Sequence, residues 1–298
     1  MVIYFEKKST RTRLSCTRAW TAMGGSVIDM SPQGGNGSHI GVSESLYDSF
    51  RVIAGMADCI LARVDEHDTL LEICRACDDA KKATAGRNNP MVINALSDKF
   101  HPLQILADMM TIYENELADY DHTKPIPPVM DVLTGKTVTW VGDSNNVFNS
   151  LMTTLPRFGM KMRVCTPPEY PIRDELFTIL LELDVAKEIN DESIMMFDGP
   201  VEALENCDYV VTDTWISMGD EKDKEERIKN FDGYQINEDL MKKSKPHEHW
   251  KFLHCLPRKK EEVTDDIFYG EKSLVFSEAE NRMWTAMSLF YIMTTMRH

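Results

Sequence analysis

The sequence predicts an α/β protein of two domains, each a parallel sheet flanked by helices. Three observations carry that prediction. Short apolar runs rich in β-branched and aromatic residues alternate with stretches of helical period, the pattern of strand–helix–strand units. The 298 residues, 43% hydrophobic and 27% charged, suffice for two ordinary cores. Near the middle, DYDHTKPIPPVMDVLTG (119–135) interrupts the helical pattern with three prolines before a fresh strand begins.

In chain order, the strands are expected at VIYF (2–5), ADCILARV (57–64), MVINAL (91–96), KTVTWVG (136–142), KMRVCT (161–166), DYVVTD (208–213) and KFLHCLP (251–257). Each is a run of four to eight mostly apolar residues, the length and composition of a strand buried on both faces. Between them, TRLSCTRAWTAMG, SLYDSFRVIAGM, HPLQILADMMTIYENEL, NNVFNSLMTTLPRFG and DGPVEALENC place apolar residues at i, i+3, i+4 spacing, which predicts helices. GDEKDKEERIKNF (219–231) reads as a solvated helix laced with charge pairs.

Charge and cysteine usage narrow the function classes. A formal charge of -15 argues against nucleic acid or an anionic membrane as the main partner, since both call for a basic face. Seven irregularly spaced cysteines fit reduced thiols better than a disulfide framework or a zinc site. No apolar run reaches the roughly 18 to 20 residues a membrane span needs. A cytoplasmic enzyme or binding protein is expected, the mitochondrial matrix being compatible with the same features.

Against that acidic background, FEKKSTRTRLS (5–15) gathers Lys7, Lys8, Arg11 and Arg13 around hydroxyls, directly after an apolar strand. A strand-to-helix turn offers unpaired N–H groups and the positive end of the helix dipole. Ser9, Thr10, Thr12 and the Arg11 fork would complete an anion site. Read from residue types alone, the stretch serves equally as a capped helix with a solvated, arginine-rich first turn. GDSNN (142–146) lies at another such turn. Its single glycine does not make a dinucleotide fingerprint, which disfavours a nucleotide-dependent oxidoreductase, and Asn145 and Asn146 fit a small carboxylate or a helix cap. Asp213 ends a strand, where open α/β sheets place ligand-binding groups, and could pair with an ammonium or cap a turn. His254, Cys255 and Arg258 end another. Arg63 interrupts an apolar strand and needs a partner, acidic side chain or phosphate. His101 and Gln104 share a helix face behind Pro102.

Together STRTR, LARV, HPLQ, GDSNN, DTWISMG, HCLPR and EAENR resemble, in order and approximate spacing, the ornithine carbamoyltransferase branch of the aspartate/ornithine carbamoyltransferase family, over nearly the whole chain. STRTR with HPLQ points to the wider family; DTWISMG with HCLPR points to ornithine as the amine acceptor. The resemblance implies a carbamoyl phosphate-binding domain over 1–118, with the C-terminal helix 282–298 packing back on it, and an ornithine-binding domain over 119–281, the two joined by interdomain helices. It implies that Ser9, Thr10, Arg11 and Thr12 cradle the phosphate and that Arg63, His101 and Thr12 surround the carbamoyl oxygen. Gln104, Arg282 and the carbonyls near Cys255 and Leu256 would fix the carbamoyl end, and His39, in a glycine-rich loop, would reach the phosphate of a neighbouring subunit. Asn146 and Met218 would hold the carboxylate of ornithine, Asp213 and Ser217 its α-ammonium, with Cys255 beside the δ-amine.

The catalytic set so implied is Cys255, Asp213, His101 and Arg11. No metal or organic cofactor is expected, because phosphate is already a good leaving group. A homotrimer with sites at subunit boundaries, and domain closure over the two substrates, follow from the same resemblance. Family members carry a few dozen residues ahead of the strand leading into STRTR, including a helix that packs on the first domain, and the fold is expected without that helix. The competing readings are transfer to another amine acceptor and a truncated, silent paralogue with a binding role. Putrescine lacks the α-carboxylate that Asn146 and Met218 would hold.

Overall fold

In the computed structural model, which describes residues 1–32, 40–41, 43–83, 90–121, 123–187, 189, 192–216 and 224–296, the strands pair in two all-parallel sheets. The first, in the order β2-β1-β3-β4, contains β1 (Val2–Phe5), β2 (Ile28–Asp29), β3 (Cys59–Arg63) and β4 (Met91–Leu96). The second, in the order β7-β6-β5-β8-β9, contains β5 (Thr137–Val141), β6 (Lys161–Cys165), β7 (Ile194–Met196), β8 (Tyr209–Thr212) and β9 (Lys251–His254). The two-domain, parallel-sheet class is therefore observed. By contacts the chain divides into Met1–Leu106 with Glu280–His298, and Ala107–Ala279.

The alternation of side chains explains why the strands read as unbroken apolar runs. In the first unit Ile3, Phe5, Cys59 and Leu61 enter a cluster with Trp20, Leu103, Ala286 and Phe290. Their neighbours Val2, Tyr4, Ile60 and Ala62 enter another with Phe50, Leu70 and Ile73. A period of two with both faces covered leaves no polar position. Trp20 meets the Phe290 ring edge-on at 5.2 Å, a geometry aromatic pairs favour. In the second unit one face is filled by Val141, Val210, Phe231, Phe252 and Trp250.

Each expected strand is present. Two further strands, β2 and β7, are two and three residues long, too short for periodicity to mark. Helices over His67–Ala83 and Asp174–Glu182 were not expected and are corrections to the sequence reading. The five expected helices run Thr10–Ala22, Leu46–Ile53, Pro102–Glu116, Asn146–Thr154 and Pro200–Ala203, and the charged run 219–231 is helical over Lys224–Asn230. The last helix spans Val275–Thr295. Among the described residues, no helix is long and apolar enough to cross a membrane.

Both sheets have a switch point, where successive strands add on opposite sides: between β1 and β3 in the first, between β5 and β8 in the second. Ligands of open α/β sheets bind beyond the carboxyl ends of the strands at such points. Ser9–Thr12 and Arg63 follow or end the first pair. Asn145, Asn146 and Asp213 follow the second.

Candidate active site

In the first unit the opening stretch does two jobs. Ser9 is the cap of the helix Thr10–Ala22, its hydroxyl accepting the Thr12 N–H at 3.3 Å. Thr12 is buried, and its Oγ1 accepts from Arg282 Nη2 at 2.9 Å. The same guanidinium donates through Nη1 to Gln104 Oε1 at 2.7 Å. Three segments far apart in sequence thus meet on one buried cation. Arg63, at the end of β3, and His101, just before the helix Pro102–Glu116, are also buried.

His101 reports the local field. Burial, then the charges of Arg282, Arg63 and Arg11, hold its pKa well below the ordinary 6.5. A neutral imidazole among three guanidiniums is a hydrogen-bonding group in a strongly positive site, suited to an anion. The surrounding cations divide by function. Arg13 pairs with Asp29, lies 5.0 Å over the Phe5 ring and donates to Ser31, and Lys7 pairs with Asp65 at 3.2 Å. Both serve the fold's own carboxylates.

The folded protein resists protonating His101, whereas the unfolded chain does so freely near pH 6.5. Its contribution to stability is therefore complete above that pH and is lost as pH falls below it, by up to about 1.4 kcal/mol per pH unit. His101→Asn should flatten the pH dependence of urea-unfolding stability between pH 7.5 and 5.5, removing a loss of about 1.4 kcal/mol over that range. Parallel curves for the two proteins would refute it.

In the second unit Asn145 caps the helix Asn146–Thr154, its Oδ1 accepting from the N–H groups of Val147 and Phe148 at 3.0 and 3.1 Å. Its amide donates to Asp213 Oδ2 at 2.8 Å. Asp213 Oδ1 accepts from the Thr214 N–H at 2.7 Å and the Cys255 thiol at 3.0 Å. The loops after β5, β8 and β9 therefore converge on one buried carboxylate. Burial and the Asp213 charge push the Cys255 thiol well above its ordinary range, so it carries its proton at neutral pH.

Beneath Cys255 lies a group the sequence reading left without a role. His254 Nδ1 accepts the Leu256 N–H at 2.9 Å, and its Nε2 lies 3.3 Å from Glu262, both side chains being wholly buried. Glu278 accepts the His254 N–H at 2.9 Å. These contacts hold Leu256 in the left-handed region at φ 59°, which a branched residue enters only when its surroundings compel it. Asp213, His254 and Cys255 also bring donor atoms within 4.8 Å of one another; the Asp213–Cys255 and His254–Leu256 hydrogen bonds already engage all three. The expected contacts of His39, Ser217 and Met218 fall outside the described residues.

Of the two α/β units, one gathers arginines, hydroxyls and a neutral histidine, an arrangement suited to an anion, and the other sets a buried carboxylate beside a protonated thiol, an arrangement suited to a cation. The chain belongs to the aspartate/ornithine carbamoyltransferase family: residues 1–114 match its carbamoyl-P binding domain and residues 134–293 its Asp/Orn binding domain. It is 41% identical to a mitochondrial ornithine carbamoyltransferase of Aquarana catesbeiana over 298 residues, 99% of this chain and 75% of that protein. It is also 41% identical to the mitochondrial ornithine carbamoyltransferase of Schizosaccharomyces pombe over 289 residues, 97% of this chain and 78% of that one. Among solved structures, the mitochondrial ornithine carbamoyltransferase of Coccidioides immitis superposes with a TM-score of 0.77 at 37% identity, covering 97% of this chain and 81% of that one. The Pyrococcus furiosus ornithine carbamoyltransferase gives 0.80 at 32%, covering 97% and 82%.

Proposed function

We propose that the protein transfers the carbamoyl group of carbamoyl phosphate to the δ-amine of L-ornithine, giving L-citrulline and phosphate. The observation that carries this reading is the buried Arg282 held by Thr12 and Gln104, with Arg63 and His101 also buried, in the unit that matches a carbamoyl-P binding domain. Ser9, Thr10, Arg11 and Thr12 hold the phosphate. Arg63 and His101 face the carbamoyl oxygen, where negative charge grows as the amine attacks, and preorganised donors at that point are the largest expected catalytic contribution. Arg282, fixed by Gln104 and Thr12, holds the carbamoyl end.

Asn146 and Asp213 orient ornithine in the second unit, Asp213 through the α-ammonium. Free groups of this class are ammonium ions up to a pKa of about 10, so the δ-nitrogen must shed one proton before it can attack. The amine then attacks the carbamoyl carbon as the C–O bond to phosphate breaks, and the second proton passes from nitrogen to the departing phosphate. The thiol–carboxylate pair supports a relay: Cys255 sulfur takes the first proton from nitrogen as its own passes to Asp213 Oδ1, 3.0 Å away. Cys255 forms no covalent bond to substrate. The homotrimer implied by the resemblance belongs to this reading, and a mass measurement by light scattering tests it.

The deciding assay measures citrulline by colorimetry, with ornithine, putrescine and acetylornithine run in parallel. Turnover with ornithine alone is the expected result. Faster reaction with either other amine would reassign the acceptor, and none with any would leave a binding role.

A further inference from the structure

We infer that Arg227 is the positioning residue of the amino-acid half-site, locking the loop after β5 to the loop after β8; this rests on the proposed function. Arg227 lies in the helix Lys224–Asn230, outside the two loops that carry Asn146 and Asp213. Its guanidinium grips both loops. Nη2 forms an ion pair with Asp143, in the GDSNN turn, and Nε donates to the Trp215 carbonyl at 2.6 Å, two residues beyond Asp213.

The surroundings make the grip directional. The two side chains of the Arg227–Asp143 pair are only 12% and 19% exposed, so solvent screens it far less than a surface pair. The guanidinium lies 4.4 Å over the Tyr170 ring. Tyr170 and Trp215 each stack on the buried Phe231, at 5.3 and 4.8 Å. Lys259 Nζ secures the next peptide by donating to the Ile216 carbonyl at 2.9 Å. On the other loop the Asp143 carbonyl accepts from the Asn145 N–H at 2.9 Å and the Trp140 indole at 3.1 Å. Asn145 in turn donates to Asp213. Arg227 thus closes a ring: Asp143 to Asn145, Asn145 to Asp213, Asp213 along the chain to Trp215, and Trp215 back to Arg227.

Two donors on one rigid plane, aimed in two directions, are what a guanidinium supplies and an ammonium does not. A clamp that only stabilised the fold would affect melting temperature and both substrates alike. A clamp that sets the Asn145–Asp213 spacing acts on the amine acceptor alone.

The test compares wild type with Arg227→Gln, Arg227→Lys and Asp143→Asn for kcat, for KM of ornithine and of carbamoyl phosphate, and for melting temperature. Arg227→Gln should raise the ornithine KM by about 10-fold or more, the loss of a charge-assisted contact, while the carbamoyl phosphate KM changes by less than about twofold. Arg227→Lys should recover only part of that loss. Adding Asp143→Asn to Arg227→Gln should cost little more, as expected of partners in one interaction. Equal increases in both KM values, or an unchanged ornithine KM, would overturn the inference. Where Arg227→Gln fails to fold, Asp143→Asn, which keeps the arginine, decides by the same ratio. Wild type that makes no citrulline overturns the proposed function itself, before any variant is compared.

Discussion

Replacing Arg282 with methionine is expected to lower kcat/KM for carbamoyl phosphate by about 10³-fold or more, the sum of two stranded buried acceptors and a lost charge-assisted contact to the carbamoyl end. Thr12 Oγ1 and Gln104 Oε1 both accept from this one side chain, and both are buried. Methionine fills similar space but leaves them facing an apolar chain. It also removes the charge that, after burial, does most to keep His101 neutral, so the field at the site weakens. Folding should survive, because the variant also escapes the cost of burying a charge. A second reading separates binding from folding: inorganic phosphate should raise the melting temperature of wild type and variant alike, whereas carbamoyl phosphate should stabilise the variant less than wild type. A variant with near-normal carbamoyl phosphate kinetics, or one that carbamoyl phosphate stabilises as fully as wild type, would remove Arg282 from the carbamoyl end of the site.

How much of this was legible in the sequence depends on the distance over which each feature acts. The strands were legible because burial on both faces leaves an unbroken apolar run, as in CILAR and YVVT. β2, two residues of which Ile28 is exposed, offers no such run. The helix His67–Ala83 escaped because acids and lysines crowd HDTLLEICRACDDAKKA, although Leu70, Ile73, Ala76, Cys77 and Ala80 form its buried stripe. In the site, residue types gave Ser9 and Asn145 two readings, cap or ligand. The structure gives both residues the cap, and Asn145 adds the bond to Asp213. Glu262 sits in the charged run RKKEE, yet its side chain is wholly buried beneath His254. Only the turn of the chain after β9 brings it there. Arg227 was hidden in the same way, inside a charged helix with no chemical signature of its own. Contacts made only when the chain folds back on itself leave no local trace in composition or period.

Asp213→Asn is expected to raise the ornithine KM by about 10- to 100-fold, the range for a lost hydrogen bond to a charged group, and to lower kcat, with the carbamoyl phosphate KM unchanged. The native carboxylate accepts from three donors, the Thr214 N–H, the Cys255 thiol and the Asn145 amide. An amide offers one oxygen, so at least one donor must then face an NH₂ group. The geometry of the loop should persist, because Asn145 still caps its own helix through Oδ1, whereas the negative charge is gone. That loss has a second, independent consequence. The Asp213 charge is among the causes that hold the Cys255 thiol up, so removing it moves the thiol pKa down toward the ordinary range near 8.5. Only the thiolate alkylates. At a fixed mildly alkaline pH, iodoacetamide should therefore modify Cys255 faster in Asp213→Asn than in wild type, although the variant is the poorer enzyme. Opposite movements of reactivity and turnover distinguish a carboxylate that works through charge from one that merely fills a corner. If ornithine KM, kcat and alkylation rate all stayed at wild-type values, Asp213 would have no place in the amine site.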